Sequence, residues 1–389
     1  MHNKVKYIAK TFAGLEHIAA KELENFGATN IEVLKRAVSF YGNKELLYKT
    51  NYCCRTILRI LQPIAEFEFN SNESFYKNIF NIPFENFLNP EGTFCIHSVI
   101  SQSIFDNSQY TSLLAKDALC DRFRDIYNYR PSVDKENPDL SIDVHIYINK
   151  ATISLDSSGV SLHRHGYKTS RHYAALNEVM AAGLISLSNW DSTCNLIDFM
   201  CGSGTILIEA AMYALNMPAG YYRNEGYSFM QWKDFDEQLW NNIRNEADNN
   251  IKEELPCKIY GSDVNHRFIK DCKMNIEALR LDDIITLSVD SFEETSPEET
   301  PSFVIINPPY GERLKIEEIE LFYQAIANHL KKKYTNCTVG ILTSNKQAMK
   351  NFGLHSSQKI TIFNANLECC FYIFHIYKGS KKQSKQITK

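Results

Sequence analysis

Nothing in this chain of 389 residues points to secretion or to a bilayer. Its first residues carry no basic-then-apolar leader, and no apolar run approaches the roughly 18 residues a spanning helix needs. A cytoplasmic protein without a membrane partner is the expectation. No Cys-x-x-Cys pair occurs among the 11 cysteines, so no structural metal is expected. The cysteines are odd in number, scattered and often set in apolar strands, as at Cys194, Cys201 and Cys369-Cys370, which reads as reduced core thiols. Charge of one sign is lacking too: 42 Lys and Arg against 46 Asp and Glu leave −4, no overall signature of a nucleic-acid binder.

Cations do cluster locally. His163, Arg164, His165, Lys168, Arg171 and His172 crowd one segment, and Lys378, Lys381, Lys382, Lys385 and Lys389 crowd the tail. Either run can meet phosphates, although a solvated face is the more frequent explanation for a single run of this kind. His163-x-His165 has no third ligand nearby, so a surface or RNA-facing pair is expected rather than a metal site.

The most distinctive stretch is Val304-Ile305-Ile306-Asn307-Pro308-Pro309-Tyr310-Gly311-Glu312-Arg313, an apolar strand running into a stiff turn. Two prolines fix φ and remove two backbone donors, so the turn presents carbonyl acceptors beside the Asn307 carboxamide. A planar amine can donate to the Asn307 oxygen and the Pro308 carbonyl while Tyr310 stacks on its flat face. Taken alone, Asn-Pro-Pro is also an ordinary strand end.

In chain order, a strand near Tyr7-Ile8-Ala9, a helix over 15–26 and a strand over 31–40 make a small β-α-β unit, followed by a helix over 45–61. A second unit has a strand over 93–101, a helix over 108–127 and two strand-like runs within 142–155. Beyond Gly166-Tyr167 the pattern becomes alternating helices and strands: 195–199, 258–261, 284–289, 303–306 and 338–343, then 359–363 and 369–377. That predicts an α/β, mostly parallel sheet covered on both faces, with an antiparallel finish. Residues 216–253, with Trp232 and Trp240, interrupt it and read as a helical cover over this sheet; Phe371, Tyr372, Phe374 and Tyr377 read as strand core.

The tips of the first four strands carry polar or glycine residues. Asp198-Phe199-Met200-Cys201-Gly202-Ser203-Gly204-Thr205 is a strand end, a glycine turn and a helix start, although Leu207 breaks any Gly-x-Gly-x-x-Gly fingerprint. Asp263 ends the second strand and suits ribose hydroxyls; Asp290 ends the third and can receive an adenine amine. Each aspartate taken singly is as well explained as a helix cap.

Together, Asp198 to Thr205, Asp263, Asp290 and Asn307 to Leu314 resemble the motifs of class I S-adenosylmethionine-dependent methyltransferases. The chain more narrowly resembles the THUMP-containing large-subunit ribosomal RNA guanine-N2 methyltransferases, through Leu162-His163-Arg164-His165-Gly166-Tyr167, Leu176-Asn177-Glu178, Asn216-Met217-Pro218-Ala219-Gly220 and Gln231-Trp232. The resemblance implies a ferredoxin-like domain over 1–66, a THUMP RNA-binding domain over 67–160, a Rossmann-like methyltransferase domain over 161–379 and a basic, disordered tail over 380–389. It implies that Asp198, Cys201, Gly202, Gly204, Thr205, Asp263, Asp290 and Asn307 hold S-adenosylmethionine, and that Asn307, Pro308, Pro309 and Tyr310 hold the target amine. Arg164, Lys168 and Arg313 become candidates for RNA phosphates, with structured ribosomal RNA, or tRNA, as partner. The family usually has Pro where this chain has Phe199 and Ala175, which loosens the turns without removing a polar group. The same Asn-Pro-Pro-Tyr turn also suits adenine-N6 or glutamine methylation, and a non-catalytic RNA-binding assembly factor is the reading of a different class.

Overall fold

The computed structural model describes residues 4–168, 176–311, 316–364 and 367–378. They fall into two units: the chain up to Thr11 with Ala19–Leu162 and Arg223–Glu246, and Phe12–Ile18 with His163–Tyr222 and the chain from Ala247 onward.

The first unit is built on β1 (Val5–Lys10), β2 (Thr29–Leu34), β3 (Ala37–Gly42), β4 (Arg59–Glu68), β5 (Thr93–Ser101), β6 (Ser132–Val133), β7 (Leu140–Tyr147) and β8 (Lys150–Asp156). They form one eight-stranded sheet ordered β2-β3-β1-β4-β8-β7-β5-β6. Its helices are α1 (Glu16–Asn25, shared with the second unit), α2 (Lys44–Cys53), α3 (Asn72–Phe80) and α4 (Ser108–Tyr127). β4 pairs with β1 at Ile8↔Leu61 and with β8 from Leu61↔Asp156 to Glu68↔Lys150, so the sheet runs unbroken through residues 66 and 67. Phe75, Phe94, Phe123, Ile142 and Val144 fill the core beneath α3 and α4.

Two expectations fail here. The strand expected over 31–40 is a hairpin, broken where Arg36 takes φ +58°. The helix expected over 45–61 stops at Cys53, because the apolar run that follows enters the middle of the sheet as β4. A short run buried on both faces has no periodicity to separate strand from helix.

The second unit contains α5 (Glu178–Ser188), β9 (Leu196–Asp198), α6 (Thr205–Ala214), α7 (Glu237–Asn249, divided between the units), β10 (Ile259–Ser262), α8 (His266–Ala278), β11 (Ile285–Ser288), β12 (Phe303–Ile306), α9 (Ile316–Lys333), β13 (Thr338–Thr343), α10 (Lys346–Lys350), β14 (Gln358–Asn364) and β15 (Leu367–His375). The sheet order is β11-β10-β9-β12-β13-β15-β14, its first five strands parallel and β15 antiparallel to both neighbours. Val304, Ile306, Val339 and Ile341 pack with Tyr323, Ile326 and Leu330 of α9. Phe371, Tyr372 and Phe374 are strand core as expected, whereas Tyr377 lies beyond β15 and is exposed.

The 216–253 segment is not the cover expected over this second sheet. Arg223–Glu246 groups with the first unit. Trp240 is buried there edge-on to Tyr52 (5.6 Å) and Phe229 (5.3 Å), and Phe229 stacks on Tyr48 at 4.3 Å. The aromatic residues on α2 offer this segment an apolar ridge, and edge-to-face pairs of this kind add roughly 0.5–1.5 kcal/mol each beyond area burial.

Candidate active site

Strand order in the second unit reverses between β9 and β12, and a crevice opens beyond the carboxyl ends of parallel strands at such a point. On the β9 side the chain turns sharply into α6. The Cys201 N–H bonds the Ser262 carbonyl at 3.0 Å, and the Gly204 N–H returns to the Cys201 carbonyl at 2.8 Å. Gly202 and Gly204 have φ of +54° and +83°, a region costly to any residue with a Cβ. A Cβ on Gly204 would sit 2.3 Å from Cys272 Sγ, but one on Gly202 would meet nothing within 4 Å. The turn is therefore packed from below at Gly204 and open at Gly202. Thr205, the first residue of α6, is buried.

Asp263 ties this turn to the next strand tip, accepting the Gly202 N–H at 3.0 Å and the Asn265 N–H at 2.8 Å. An ionised carboxylate keeps further lone pairs beyond these two bonds. Asp290 lies half-buried past the end of β11. Asp198 is only 1 % exposed and accepts the Met200 N–H at 3.0 Å. Burial pushes its pKa up to about 8 against the opposing Met200 bond, and the nearby Asp263 charge adds to the rise. Such a carboxyl is held in its neutral form until a cation arrives.

Two valines not anticipated from sequence complete this side. Val264, directly after Asp263, is 76 % exposed, and Val289, directly before Asp290, is 47 % exposed. Their signal was an apolar residue beside each acidic strand tip. Two large apolar side chains left in water there offer a flat ring a surface to cover. Phe199, the departure from the usual proline, points away from the crevice into an aromatic core with Tyr334 (5.6 Å), Phe292 and His329 (6.2 Å each). Its ring anchors the turn from beneath.

On the β12 side, Asn307 leaves the strand and its Oδ1 accepts the Tyr310 hydroxyl at 2.7 Å. Pro308 is buried and Pro309 exposed. Burial raises the Tyr310 pKa, with the neighbouring Cys369 thiol adding to the rise, so the phenol stays protonated and donating.

The basic segment differs from expectation. His165 is 1 % exposed, so the surface or RNA-facing role expected for it does not hold. Its Nδ1 lies 2.7 Å from Glu209 on α6, whose same oxygen accepts the Tyr167 hydroxyl at 2.6 Å. Each group gives the other one enclosed partner, while His165 Nε2 and Glu209 Oε2 stay buried without a hydrogen bond among the described residues. Lys168 is bonded within the unit, 3.2 Å from the Glu178 carboxylate and 2.6 Å from the Leu176 carbonyl. Burial raises the Glu178 pKa, which the Lys168 charge partly offsets. Arg164 is exposed. Arg313, Ala175, Arg171, His172 and the 380–389 tail lie outside the described residues.

A parallel sheet with a glycine turn on its first strand, acidic tips on the next two and an antiparallel last strand defines a class I methyltransferase domain. Residues 165–373 match the model described as "RMKL-like, methyltransferase domain". The chain belongs to that family. A THUMP domain model matches residues 69–156, and a model of the RlmL ferredoxin-like domain matches 6–61. "Putative RNA methyltransferase slr0064" of Synechocystis sp. is 35 % identical over 372 residues, covering 95 % of this chain and 97 % of that one. "Ribosomal RNA large subunit methyltransferase K/L" of Shewanella frigidimarina is 33 % identical over 383 residues, covering 97 % of this chain but 54 % of its own length. The chain thus spans about half of that K/L relative. Among solved structures, SMU.472, a complex with SAH, superposes with a TM-score of 0.88 at 27 % identity, covering 98 % of this chain and 100 % of that one. The open glycine turn, the acidic tips and the uncovered valines fit S-adenosylmethionine, the methyl donor of the class.

Proposed function

We propose that this chain transfers a methyl group from S-adenosylmethionine to the exocyclic N2 amine of a guanine in large-subunit (23S) ribosomal RNA. The observation that carries the reading is the meeting, at the β9/β12 switch point, of an open glycine turn and a carboxamide turn built from acceptors. RNA as substrate is supported by the THUMP match and by the relatives' names. Work on ribosomal RNA would place the protein in the cytoplasm.

Gly202, Gly204, Cys201 and Thr205 form the floor for the cofactor, with Asp198 on its methionine side, Asp263 at the ribose and Asp290 at the adenine amine. Bound there, the cofactor supplies a methyl on a positively charged sulfur. The remaining task for the protein is alignment. Asn307 Oδ1 and the Pro308 carbonyl would accept from the two N–H groups of the guanine amine and fix the direction of its lone pair, and one of these protons leaves to water once nitrogen carries the methyl. The Tyr310 ring lies against the base and helps keep water out. The Tyr310 hydroxyl occupies Asn307 Oδ1 in this structure, so the incoming amine exchanges with it. Exchange of one neutral hydrogen bond for another costs little net energy. Unstacking a paired guanine costs a few kcal/mol, which backbone contacts to an RNA-gripping front half offset.

The test is nucleoside mass spectrometry of cellular RNA with and without the gene. Loss of N2-methylguanosine from large-subunit RNA supports the reading; loss from tRNA, or loss of N6-methyladenosine, redirects it. Asn307→Ala should lower transfer by about a hundredfold or more while leaving cofactor affinity within about twofold. Binding of RNA without calorimetric binding of cofactor would identify a non-catalytic assembly factor instead.

A further inference from the structure

The two prolines that stiffen the Asn307–Tyr310 turn also remove its means of holding itself, since Pro308 and Pro309 have no N–H to donate. At its centre the turn can be fixed only through carbonyls, and two of its carbonyls are gripped from elsewhere in the same unit. The Asn345 Nδ2 donates to the Tyr310 carbonyl at 3.0 Å, and the Tyr323 hydroxyl donates to the Pro309 carbonyl at 3.3 Å. Asn345 and Tyr323 are joined through Thr343 at the tip of β13: the Asn345 N–H bonds Thr343 Oγ1 at 3.0 Å, and Thr343 Oγ1 lies 2.7 Å from the Tyr323 hydroxyl. One proton arrangement satisfies every member, with Asn345 N–H donating to Thr343, Thr343 to Tyr323, and Tyr323 to Pro309. Thr343 and Tyr323 are fully enclosed, so the bond between them forms where solvent cannot compete. One turn before Tyr323 on α9, Ile319 closes the far end of the loop. A Cβ on Gly311 would come within 2.9 Å of its Cγ1, and Gly311 has φ +95°. β13 in turn is locked between β12 and β15.

We propose that Asn345 and Tyr323 are positioning residues for methyl transfer: they clamp the Tyr310 and Pro309 carbonyls and so fix where Asn307 and the Pro308 carbonyl meet the target amine. The proposal rests on the functional reading given above. Asn345 has a second task, since its Oδ1 caps α10 by accepting the Ala348 N–H at 2.8 Å. Asn345→Asp separates the two, keeping the cap oxygen while replacing the donor to Tyr310 with a carboxylate oxygen. Tyr323→Phe keeps the ring and removes the hydroxyl alone.

The experiment measures methyl transfer from tritiated S-adenosylmethionine to protein-free large-subunit RNA extracted from cells lacking the gene. S-adenosylhomocysteine affinity by calorimetry and Tm are recorded for each variant. The clamp predicts a fall in kcat of about tenfold or more in both variants, with the dissociation constant for S-adenosylhomocysteine within about twofold of wild type and Tm little changed. Wild-type kcat in Asn345→Asp and Tyr323→Phe overturns it. So does a joint loss of kcat, cofactor affinity and Tm, which is the mark of a merely structural role. If the unmutated protein binds S-adenosylhomocysteine but methylates none of this RNA, the functional reading fails. The clamp is then judged by crystal structures of Asn345→Asp: a displaced Tyr310 carbonyl supports it, and an unmoved one overturns it.

Discussion

Replacing Asp198 with asparagine tests the electrostatics of the crevice. Enclosure pushes the Asp198 carboxyl up to about 8 from an ordinary value of 3.8, so below pH 8 the free protein holds it protonated. A ligand bearing a positive sulfonium binds the ionised form in preference, and must therefore expel the proton. The sign follows: affinity is full above pH 8 and is lost as pH falls. At pH 6.5 about 3 % of the carboxyl is ionised, so binding should release nearly one proton and be weakened by about 2 kcal/mol, or roughly thirtyfold, relative to pH 9. Titration calorimetry in two buffers of different ionisation enthalpy counts that proton directly. Asp198→Asn keeps the size and an acceptor for the Met200 N–H, but should release no proton and show a flat pH profile, with affinity near the low-pH limit of the wild type. S-adenosylhomocysteine, whose sulfur is neutral, should show a shallower pH dependence than the methyl donor in the wild type. Equal proton release in the wild type and Asp198→Asn would refute the reasoning, because the titrating group would then lie elsewhere.

Gly204→Ala places a Cβ 2.3 Å from Cys272 Sγ at a positive φ, and should cost about 1–3 kcal/mol of stability, read as a lowered Tm. Adding Cys272→Ala should relieve the clash but leave roughly 1 kcal/mol of backbone strain. Trp240→Ala empties an aromatic cluster and should cost roughly 3–5 kcal/mol in the unfolding of the first unit, while cofactor affinity stays unchanged because its ring packs among residues of that unit. Tyr310→Phe keeps the ring and frees Asn307 Oδ1 from the hydroxyl 2.7 Å away; it should leave kcat near wild type and lower KM for RNA by up to about tenfold, a change that Tyr310→Ala should not reproduce.

The catalytic sheet was legible because its parallel strands from β9 to β13 are short, largely apolar runs bounded by turn residues, and because parallel strands put their polar punctuation at one end. Hence 303–306 and 338–343 read from sequence coincide with β12 and β13. The front half was harder. Residues 57–61 are apolar except for Arg59 and show no strand alternation, so the run looked like the end of α2 although it leads into a strand enclosed between β1 and β8. Trp240 read as part of a cover over the wrong sheet, since its partner ridge of Tyr48 and Tyr52 lies almost two hundred positions earlier.

The same distinction governs the site. A residue whose role depends on its own turn can be read from neighbouring letters: Gly202, Asp263 and Asn307 announce themselves by what precedes and follows them. A residue whose role is to hold another cannot, because the contact is made by the fold. Nothing around Asn345 or Tyr323 distinguishes a helix cap and a buried helix tyrosine from a clamp on carbonyls 35 and 14 positions earlier. His165 shows the converse error, since a histidine among arginines and a lysine looks solvated until the fold brings Glu209 to it at 2.7 Å. The chemistry of the crevice therefore sits in local motifs, and its rigidity sits in long-range bonds. Substitutions in the first group should abolish binding or transfer outright. Substitutions in the second should leave ligands bound and slow the step that depends on alignment.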